Sequence, residues 1–180
     1  MDTGIIRRID DLGRVVIPKE IRKVLRIKEG EPLQIIASND QLVLKKYSPV
    51  KSILNVANIV GKGLEETTEM FCIITDNDKI VYANNKLKDL KEKDISKEVE
   101  EIIKSRKSKL IIKQDGGEVI DLIKSQNLDA ENQIIIPIIN CGDCFGAVIL
   151  FDKEKGAKLS NNEVKLARLG AFFIAEQFTC

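Results

Sequence analysis

The sequence contains no histidine. This absence excludes Ser-His-Asp and Cys-His catalysis, imidazole ligation of metals and the usual proton shuttle near pH 7. An enzyme built on this chain would have to use carboxylates, lysines or thiols alone. The sequence also lacks a P-loop, a Gly-x-Ser-x-Gly motif and a clear pair of catalytic carboxylates. We therefore expect a protein that is not an enzyme and that needs no cofactor.

Long hydrophobic runs are also missing. No apolar run approaches the roughly 20 residues that a transmembrane helix needs. Arg7 and Arg8 interrupt the apolar positions near Met1, which argues against a secretory signal. We therefore expect a cytoplasmic protein without a membrane segment. Its 180 residues, 43% of them hydrophobic, suffice for one ordinary domain or for a small and a medium one.

Cysteines are few, namely Cys72, Cys141, Cys144 and Cys180. Without a secretory signal, disulfides are not expected. The lone Cys141-x-x-Cys144 motif is compatible with a redox pair or with half of a zinc site. A zinc site normally needs two more ligands, and histidine is absent. Because the two cysteines flank a predicted hairpin turn, we interpret them as packing residues and expect no metal.

Charge is unevenly distributed along the chain, although the net charge is only +1. Residues 1–50 contain ten Lys and Arg against seven Asp and Glu, whereas residues 51–180 contain 19 against 21. Within residues 1–28 the excess is eight against four. The positive charge therefore lies at the N-terminal end, and a dimer would double it.

Residues 1–50 show a β-β-α-β-β pattern. Short strands are predicted at 5–9, 14–17, 33–38 and 42–46, with a helix after Pro18. So small a unit rarely buries enough apolar area to be stable alone, and its strands leave open edges. We therefore predict an obligate dimer in which a second copy supplies the missing strands and core.

Three segments of this unit resemble the AbrB-type DNA-binding domain: TGIIR at 3–7, DLGRVVIP at 11–18 and LKKY at 44–47. The resemblance covers residues 3–48 almost without a gap. In that family two chains interleave their hairpins, so the resemblance implies an all-β swapped-hairpin barrel with a short helix, formed by two chains. The whole chain, with its folded segment after Pro49, resembles AbrB-family transcriptional regulators of sporulation in endospore-forming bacteria.

The resemblance places DNA-contacting arginines at Arg7, Arg14 and Arg22. Lys23 stands where some relatives have another arginine, and lysine keeps the charge but lacks the bidentate fork. The implied partner is double-stranded DNA, and the Gly13-Arg14 turn favours arginines that read the groove shape of A/T-rich or flexible sequence. The alternative is a solvated face whose cations pair with nearby carboxylates. The predicted DNA-binding residues are Arg7, Arg8, Arg14, Lys19, Arg22, Lys23, Lys45 and Lys46.

The segment after Pro49 has an α+β pattern. An antiparallel sheet with helices at both ends of the segment resembles a GAF domain, and the stretch IIPIINCGDCFGAVILF at 135–151 before a C-terminal helix looks like the end of one. GAF domains often dimerise through terminal helices and often bind small molecules. The predicted helices are 50–68, 96–105 and 160–178, and the predicted strands are 71–76, 79–83, 110–112, 133–140 and 145–151.

We therefore divide the chain into a DNA-binding domain at 1–50, a connecting helix at 51–68 and a GAF-like regulatory and oligomerisation domain at 69–180. The prediction is a regulator, both activator and repressor, of sporulation genes in the cytoplasm of the forespore. It is a homodimer through its N-terminal domain and a homotetramer through its C-terminal domain. Nothing in the sequence identifies a small-molecule ligand. The alternative is an AbrB/MazE-like antitoxin whose disordered tail wraps a toxin, but the strand and helix patterns after residue 50 favour a folded domain.

Overall fold

The structure, a computed structural model, divides into two compact units, Met1–Tyr47 and Ser48–Cys180. Each unit is described by itself. The first residues of the predicted helix at 50–68 and the last cysteine lie outside the described residues. The residues whose structure is described are 4–47, 54–124, 126–155 and 159–178.

Described residues 4–47 of the N-terminal unit form one helix and one hairpin. Helix α1, Lys19–Val24, begins directly after Pro18, whose φ of −56° suits a helix start. Strands β1, Leu33–Ser38, and β2, Gln41–Lys46, pair antiparallel through a turn in which Asn39 has a φ of +47°. Asparagine tolerates this left-handed conformation better than most residues. The predicted helix and the predicted second hairpin are thus confirmed.

The two strands predicted at 5–9 and 14–17 are not formed in the single chain. Only the turn between them closes, through backbone hydrogen bonds from Asp10 N–H to the Arg14 carbonyl at 3.1 Å and from Gly13 N–H to the Asp10 carbonyl at 3.0 Å. Outside this turn, described residues 4–18 belong to no helix or strand. A β-strand forms only by hydrogen bonding to a neighbouring strand. In the single chain, these two segments have no such neighbour among the described residues.

The N-terminal unit also buries little of its apolar surface. Apart from Pro18, none of the aliphatic side chains in described residues 4–47 is buried, and Ile6, Val16 and Val24 are 93%, 74% and 81% exposed. Leu25, directly after α1, is likewise 51% exposed. The single unit therefore has no core of its own.

The C-terminal unit is built on a five-stranded antiparallel sheet with the order β4-β3-β7-β6-β5. The long β6–β7 hairpin forms its centre, and β3 pairs with β7 along its whole length. The predicted strands of this segment are confirmed. Their observed bounds are β3 Phe71–Thr75, β4 Ile80–Ala83, β5 Lys109–Ile112, β6 Asn132–Asn140 and β7 Asp143–Asp152.

Among the described residues of this unit, three α-helices accompany the sheet: α2, Leu54–Thr68; α3, Lys97–Ser105; and α4, Asn161–Ala175. Ser96 caps α3, because its hydroxyl accepts the Val99 N–H at 3.1 Å. Ser160 and Glu163 form a capping box at the start of α4. The helices predicted at 96–105 and 160–178 thus both begin after a serine cap. Two short 3-10 turns, Asn85–Leu90 and Lys113–Asp115, complete the connections.

Two apolar cores lie in this unit. One core combines residues of α2 and α4 with the sheet, including Ala57, Ile138 and Ala171. The other combines α3 with the sheet, including Val99 and Ile149. Because successive side chains of a strand point to opposite faces, the sheet contributes to both cores. The unit is thus an α+β layer structure, as predicted.

Candidate nucleic-acid interface

Seven of the eight predicted DNA-binding residues are exposed, and they come from three parts of the N-terminal unit. Arg7 and Arg8 lie in the segment before the Asp10–Arg14 turn, and Arg14 closes that turn. The remaining cations belong to α1 and β2. Exposed guanidinium and ammonium groups on one small unit are available to an anionic partner. The exposed residues are Arg7, Arg8, Arg14, Lys19, Arg22, Lys23 and Lys45.

The turn around Arg14 is organised by one carboxylate. Oδ1 of Asp10 accepts the N–H groups of Leu12 at 3.1 Å and of Arg14 at 2.7 Å. Oδ2 accepts the Arg14 Nε–H at 2.7 Å. The backbone N–H of Arg14, followed by its side chain, holds the pKa of Asp10 below its usual value. This arrangement holds the guanidinium of Arg14 at its Nε, while the arginine side chain stays 71% exposed.

Helix α1 carries three cations on neighbouring positions. Lys19, Arg22 and Lys23 are related by spacings of three and four residues, so they lie close together on the helix surface. Basic residues in the last turn also interact favourably with the helix dipole. The helix ends where the Leu25 N–H donates to the Ile21 carbonyl at 2.9 Å. Its cations therefore form a compact basic group.

The two lysines of β2 differ from each other. Lys45 is exposed, whereas Lys46 is half-buried and its Nζ lies 3.2 Å from Glu31 Oε1. Glu31 Oε2 also accepts the Lys28 N–H at 2.7 Å. Glu31 was missed by sequence reasoning, and only the pairing of Leu33 with Lys46 in the hairpin register indicates that it lies nearby. Lys46 thus has a carboxylate partner inside its own unit.

The three cysteines among the described residues, Cys72, Cys141 and Cys144, differ in state. Cys72 is buried and Cys144 is half-buried; both are free thiols, and burial raises the pKa of each. Cys141, which we expected to be reduced, is disulfide-bonded. Because Cys144 is free, the Cys141-x-x-Cys144 motif is not itself the bonded pair. The low-pKa thiolate of a reactive cysteine is thus not found at Cys72 or Cys144.

The described residues contain neither a cluster of metal ligands nor a membrane-spanning helix. Among residues 4–47, 54–124, 126–155 and 159–178, no group of three or more Cys, Asp or Glu side chains could hold a metal ion. In the same part of the chain, no helix combines the length and the apolar character needed to cross a membrane.

The interior of the C-terminal unit beneath α3 is filled by its own aliphatic side chains, such as Ile80, Ile123 and Ile149. Buried polar side-chain atoms of this unit have internal partners, with the exception among the described residues of Asp152 Oδ1. Gln133, for example, accepts the Ile120 N–H at 3.1 Å and donates to the Ile120 carbonyl at 2.7 Å. This amide therefore fixes the chain segment that precedes β6.

Comparison with known proteins identifies the family. Residues 53–179 match the model described as "Stage V sporulation protein T C-terminal, transcription factor". The chain is also 37% identical over 177 residues to stage V sporulation protein T of Bacillus subtilis (strain 168), with 97% of each chain covered. The chain belongs to the stage V sporulation protein T family. In this family member, residues 6–52 match the model "Antidote-toxin recognition MazE, bacterial antitoxin".

The N-terminal unit has a further relative. It is 51% identical over 47 residues to the transition state regulatory protein AbrB of Bacillus subtilis (strain 168), an alignment that covers 26% of this chain and 49% of the relative. The predicted AbrB-type domain is thereby confirmed.

Solved structures show the fold of the C-terminal unit. A methyl-accepting chemotaxis protein fragment, residues 122 to 287, matches with a TM-score of 0.55 and 14% identity, covering 71% of this chain and 93% of that one. The GAF domain of an Acinetobacter phosphoenolpyruvate-protein phosphotransferase also matches with a TM-score of 0.55, at 7% identity, covering 71% of this chain and 86% of that one. At such identities the likeness shows the fold alone. The predicted GAF-like fold of this stage V sporulation protein T family member is confirmed.

Proposed function

We infer that this protein is a DNA-binding transcription regulator of sporulation genes, acting as activator and repressor in the cytoplasm of the forespore. The observation that carries this conclusion is the set of exposed cations on the N-terminal unit of a chain that belongs to a transcription-factor family. Regulation is its role, and catalysis is not.

The DNA contacts come from the Asp10–Arg14 turn and from α1. Arg7, Arg14 and Arg22 are exposed, so each can neutralise a phosphate or reach a base edge. Lys23 contributes charge without the bidentate geometry of arginine. Because Lys46 already has Glu31 as a partner, we expect it to contribute less than Lys45. The target is double-stranded DNA that is A/T-rich or flexible.

A second copy completes the N-terminal unit. Ile6 and Val16 are almost fully exposed in the single chain and lie in the two segments predicted as strands. Pairing of these segments between two chains would satisfy their backbone groups and bury their side chains. The homodimer therefore has two copies of the basic group, related by its symmetry axis.

The C-terminal unit joins two such dimers. Leu169, Phe172 and Phe173 lie at spacings of three and four on α4 and are each more than half exposed. Ile59 on the neighbouring helix α2 is 71% exposed. These four residues, called the α2–α4 patch, are suited to pack against the same patch of another chain. The assembly is thus a homotetramer in which two barrels bind DNA with avidity.

The proposed domain organisation is the one predicted from the sequence: a DNA-binding domain at 1–50, a connecting helix at 51–68 and a regulatory domain at 69–180. A small effector bound by the GAF-like domain would alter the spacing of the two barrels. The antitoxin alternative is disfavoured, because the MazE model covers only residues 6–52 and the transcription-factor model covers 53–179.

The test is DNA affinity as a function of salt for the full chain, Arg14→Ala and Lys97→Ala. Lys97 is an exposed cation at the start of α3, so its substitution removes one charge outside the proposed interface. We expect Arg14→Ala to weaken binding at least about tenfold and to reduce the slope of log K against log salt by about 0.9 for each lost phosphate contact. Lys97→Ala should bind like the wild type. Equal affinities of the two variants would show that Arg14 belongs to a solvated face.

A further inference from the structure

We propose that Asp10 is a positioning residue for DNA recognition, which holds Arg14 by its Nε so that the terminal nitrogens remain available to one acceptor pair on the DNA. This inference rests on the proposed function. The proposal assigns a binding role to an acidic residue in an interface whose other proposed residues are all basic.

The hydrogen bonds of the turn make Asp10 the centre of its geometry. One oxygen of its carboxylate accepts two backbone N–H groups, and the other accepts the Arg14 Nε–H at 2.7 Å. Gly13, at a φ of +75°, allows the chain to return so that Arg14 faces Asp10. The backbone bonds orient the carboxylate, and the oriented carboxylate in turn orients the guanidinium.

The geometry of arginine decides what this contact leaves open. A guanidinium has five N–H donors in a planar fork, and Nε supplies one of them. With Nε held by Asp10, the two terminal nitrogens can still donate side by side to two phosphate oxygens or to a pair of acceptors in a groove. Lysine has no Nε, so it cannot be held in this way.

The contact is suited to binding more than to folding. Both side chains are well exposed, and exposed ion pairs contribute little to stability. An arginine that is ordered before binding loses less side-chain freedom when DNA arrives. The loss of this ordering is therefore expected to weaken DNA binding about three- to tenfold, with little change in folding.

Asp11 supplies a matched control. It is the next residue and is exposed, and no hydrogen bond or ion pair of its side chain occurs among the described residues. Asp10→Asn and Asp11→Asn change the net charge equally. If charge alone acted, both substitutions would tighten DNA binding, because both remove an anion beside the phosphates. The proposal instead predicts that Asp10→Asn weakens DNA binding, whereas Asp11→Asn does not.

The experiment measures the affinity of the full chain for an A/T-rich duplex and for a G/C-rich duplex of equal length. The variants are Asp10→Asn, Asp11→Asn, Arg14→Lys and the double variant Asp10→Asn with Arg14→Lys. We expect Asp10→Asn to lose affinity for the preferred duplex and to reduce the ratio between the two affinities. Asp11→Asn should bind both duplexes as tightly as the wild type or more tightly.

The double variant separates positioning from a general effect on the turn. Asparagine keeps a side-chain oxygen that accepts the two backbone N–H groups, so the turn is retained. In the Arg14→Lys background, Asp10→Asn should cause no further loss of DNA affinity. Its effect there should equal that of Asp11→Asn. A further loss there would mean that Asp10 acts through the fold, and the positioning role would be overturned.

The outcome also distinguishes this proposal from the proposed function. If Arg14→Ala weakens binding but Asp10→Asn matches Asp11→Asn, the interface stands and the positioning role fails. If Arg14→Ala binds like the wild type, the interface itself fails. Thermal unfolding and elution volume of each variant, compared with the wild type, report whether fold and assembly are unchanged.

Discussion

At the scale of single residues, the contact between Glu65 and Tyr82 joins helix α2 to strand β4. The Tyr82 hydroxyl donates to Glu65 Oε1 at 2.9 Å. Burial raises the pKa of Glu65, while the tyrosine hydrogen bond partly lowers it. Burial, together with Glu65, raises the pKa of Tyr82 as well. The folded state therefore retains the proton of Glu65 to a higher pH than the unfolded chain does.

The sign of the resulting pH dependence follows from this shift. A carboxyl whose pKa is raised by folding favours the folded state only while it is protonated, so its contribution is lost as the pH rises above the unfolded value of 4.5. Glu65→Gln does not titrate and keeps an oxygen for Tyr82. We expect it to be at least as stable as the wild type at pH 7, with an advantage that disappears in acid. Chemical denaturation between pH 4 and 8 measures this.

A matched control is Glu101→Gln, because Glu101 is exposed on α3. Tyr82→Phe should act in the opposite direction from Glu65→Gln. It removes the donor and costs about 1 kcal/mol or more at neutral pH, and less where Glu65 is protonated. A stability curve for Glu65→Gln that runs parallel to the wild type across this pH range would contradict the assignment.

Local sequence signals predicted some residue contacts and missed others. The turn at Asp10 and the caps at Ser96 and Ser160 involve partners within four residues, so sequence spacing was enough. The exposed cations of the candidate interface were likewise identified from charge and from the resemblance. The contacts Tyr82–Glu65 and Lys46–Glu31 join positions 17 and 15 residues apart, and only the packed fold brings these side chains together.

At the scale of elements, helix α2 contains two glycines in different surroundings. A Cβ at Gly61 would collide with the ring of Tyr82, whereas a Cβ at Gly63 would meet nothing within 4 Å. The helix thus approaches β4 closely at one position and faces open space two residues later. The sequence alone does not distinguish the two glycines, because it carries no information on which helix face meets the neighbouring strand.

This difference predicts opposite effects of the same substitution. Gly63→Ala should stabilise the protein by up to about 1 kcal/mol, since alanine has the higher helix propensity. Gly61→Ala should destabilise it by about 1–3 kcal/mol, because Tyr82 must move and its bond to Glu65 is strained. Thermal unfolding of the two variants against the wild type measures both effects. Equal shifts of the two melting temperatures would show that α2 does not pack on Tyr82.

Strand formation in this protein depends on whether a pairing partner lies in the same chain. The β6–β7 hairpin and the β1–β2 hairpin were predictable, because each finds its partner across a short turn in the same chain. The segments 5–9 and 14–17 have strand-like sequences but no strand partner in the single chain. We therefore expect their strand partner to come from a second chain, which would explain why the strand prediction and the single-chain structure disagree.

At the scale of the whole molecule, the proposed assembly depends on two different apolar surfaces. The N-terminal unit exposes its apolar side chains around the predicted strands, whereas the C-terminal unit exposes the α2–α4 patch. Gly170 of α4 packs closely on Val60 and Leu64 of α2, so the two helices that carry the patch lie against each other at this point. Disrupting one surface should leave the other assembly step intact.

Replacing Phe172 and Phe173 together by serine tests the second step. Both rings are more than half exposed, so the substitution removes contact area without opening a cavity in the core. We expect the protein to change from tetramer to dimer in light scattering. Affinity for a duplex long enough to span two barrels should fall on the order of a hundredfold, because the second binding event is no longer intramolecular.

The control for this variant is Leu110→Ser, which removes an equally exposed apolar side chain from strand β5, at the edge of the sheet. It should remain a tetramer with wild-type affinity. A short duplex that binds only one barrel provides the internal reference, since the Phe172 and Phe173 variant should bind it normally. If the Phe172 and Phe173 variant remains a tetramer, the α2–α4 patch has another role. If Leu110→Ser dissociates instead, the dimers are joined by the sheet edge.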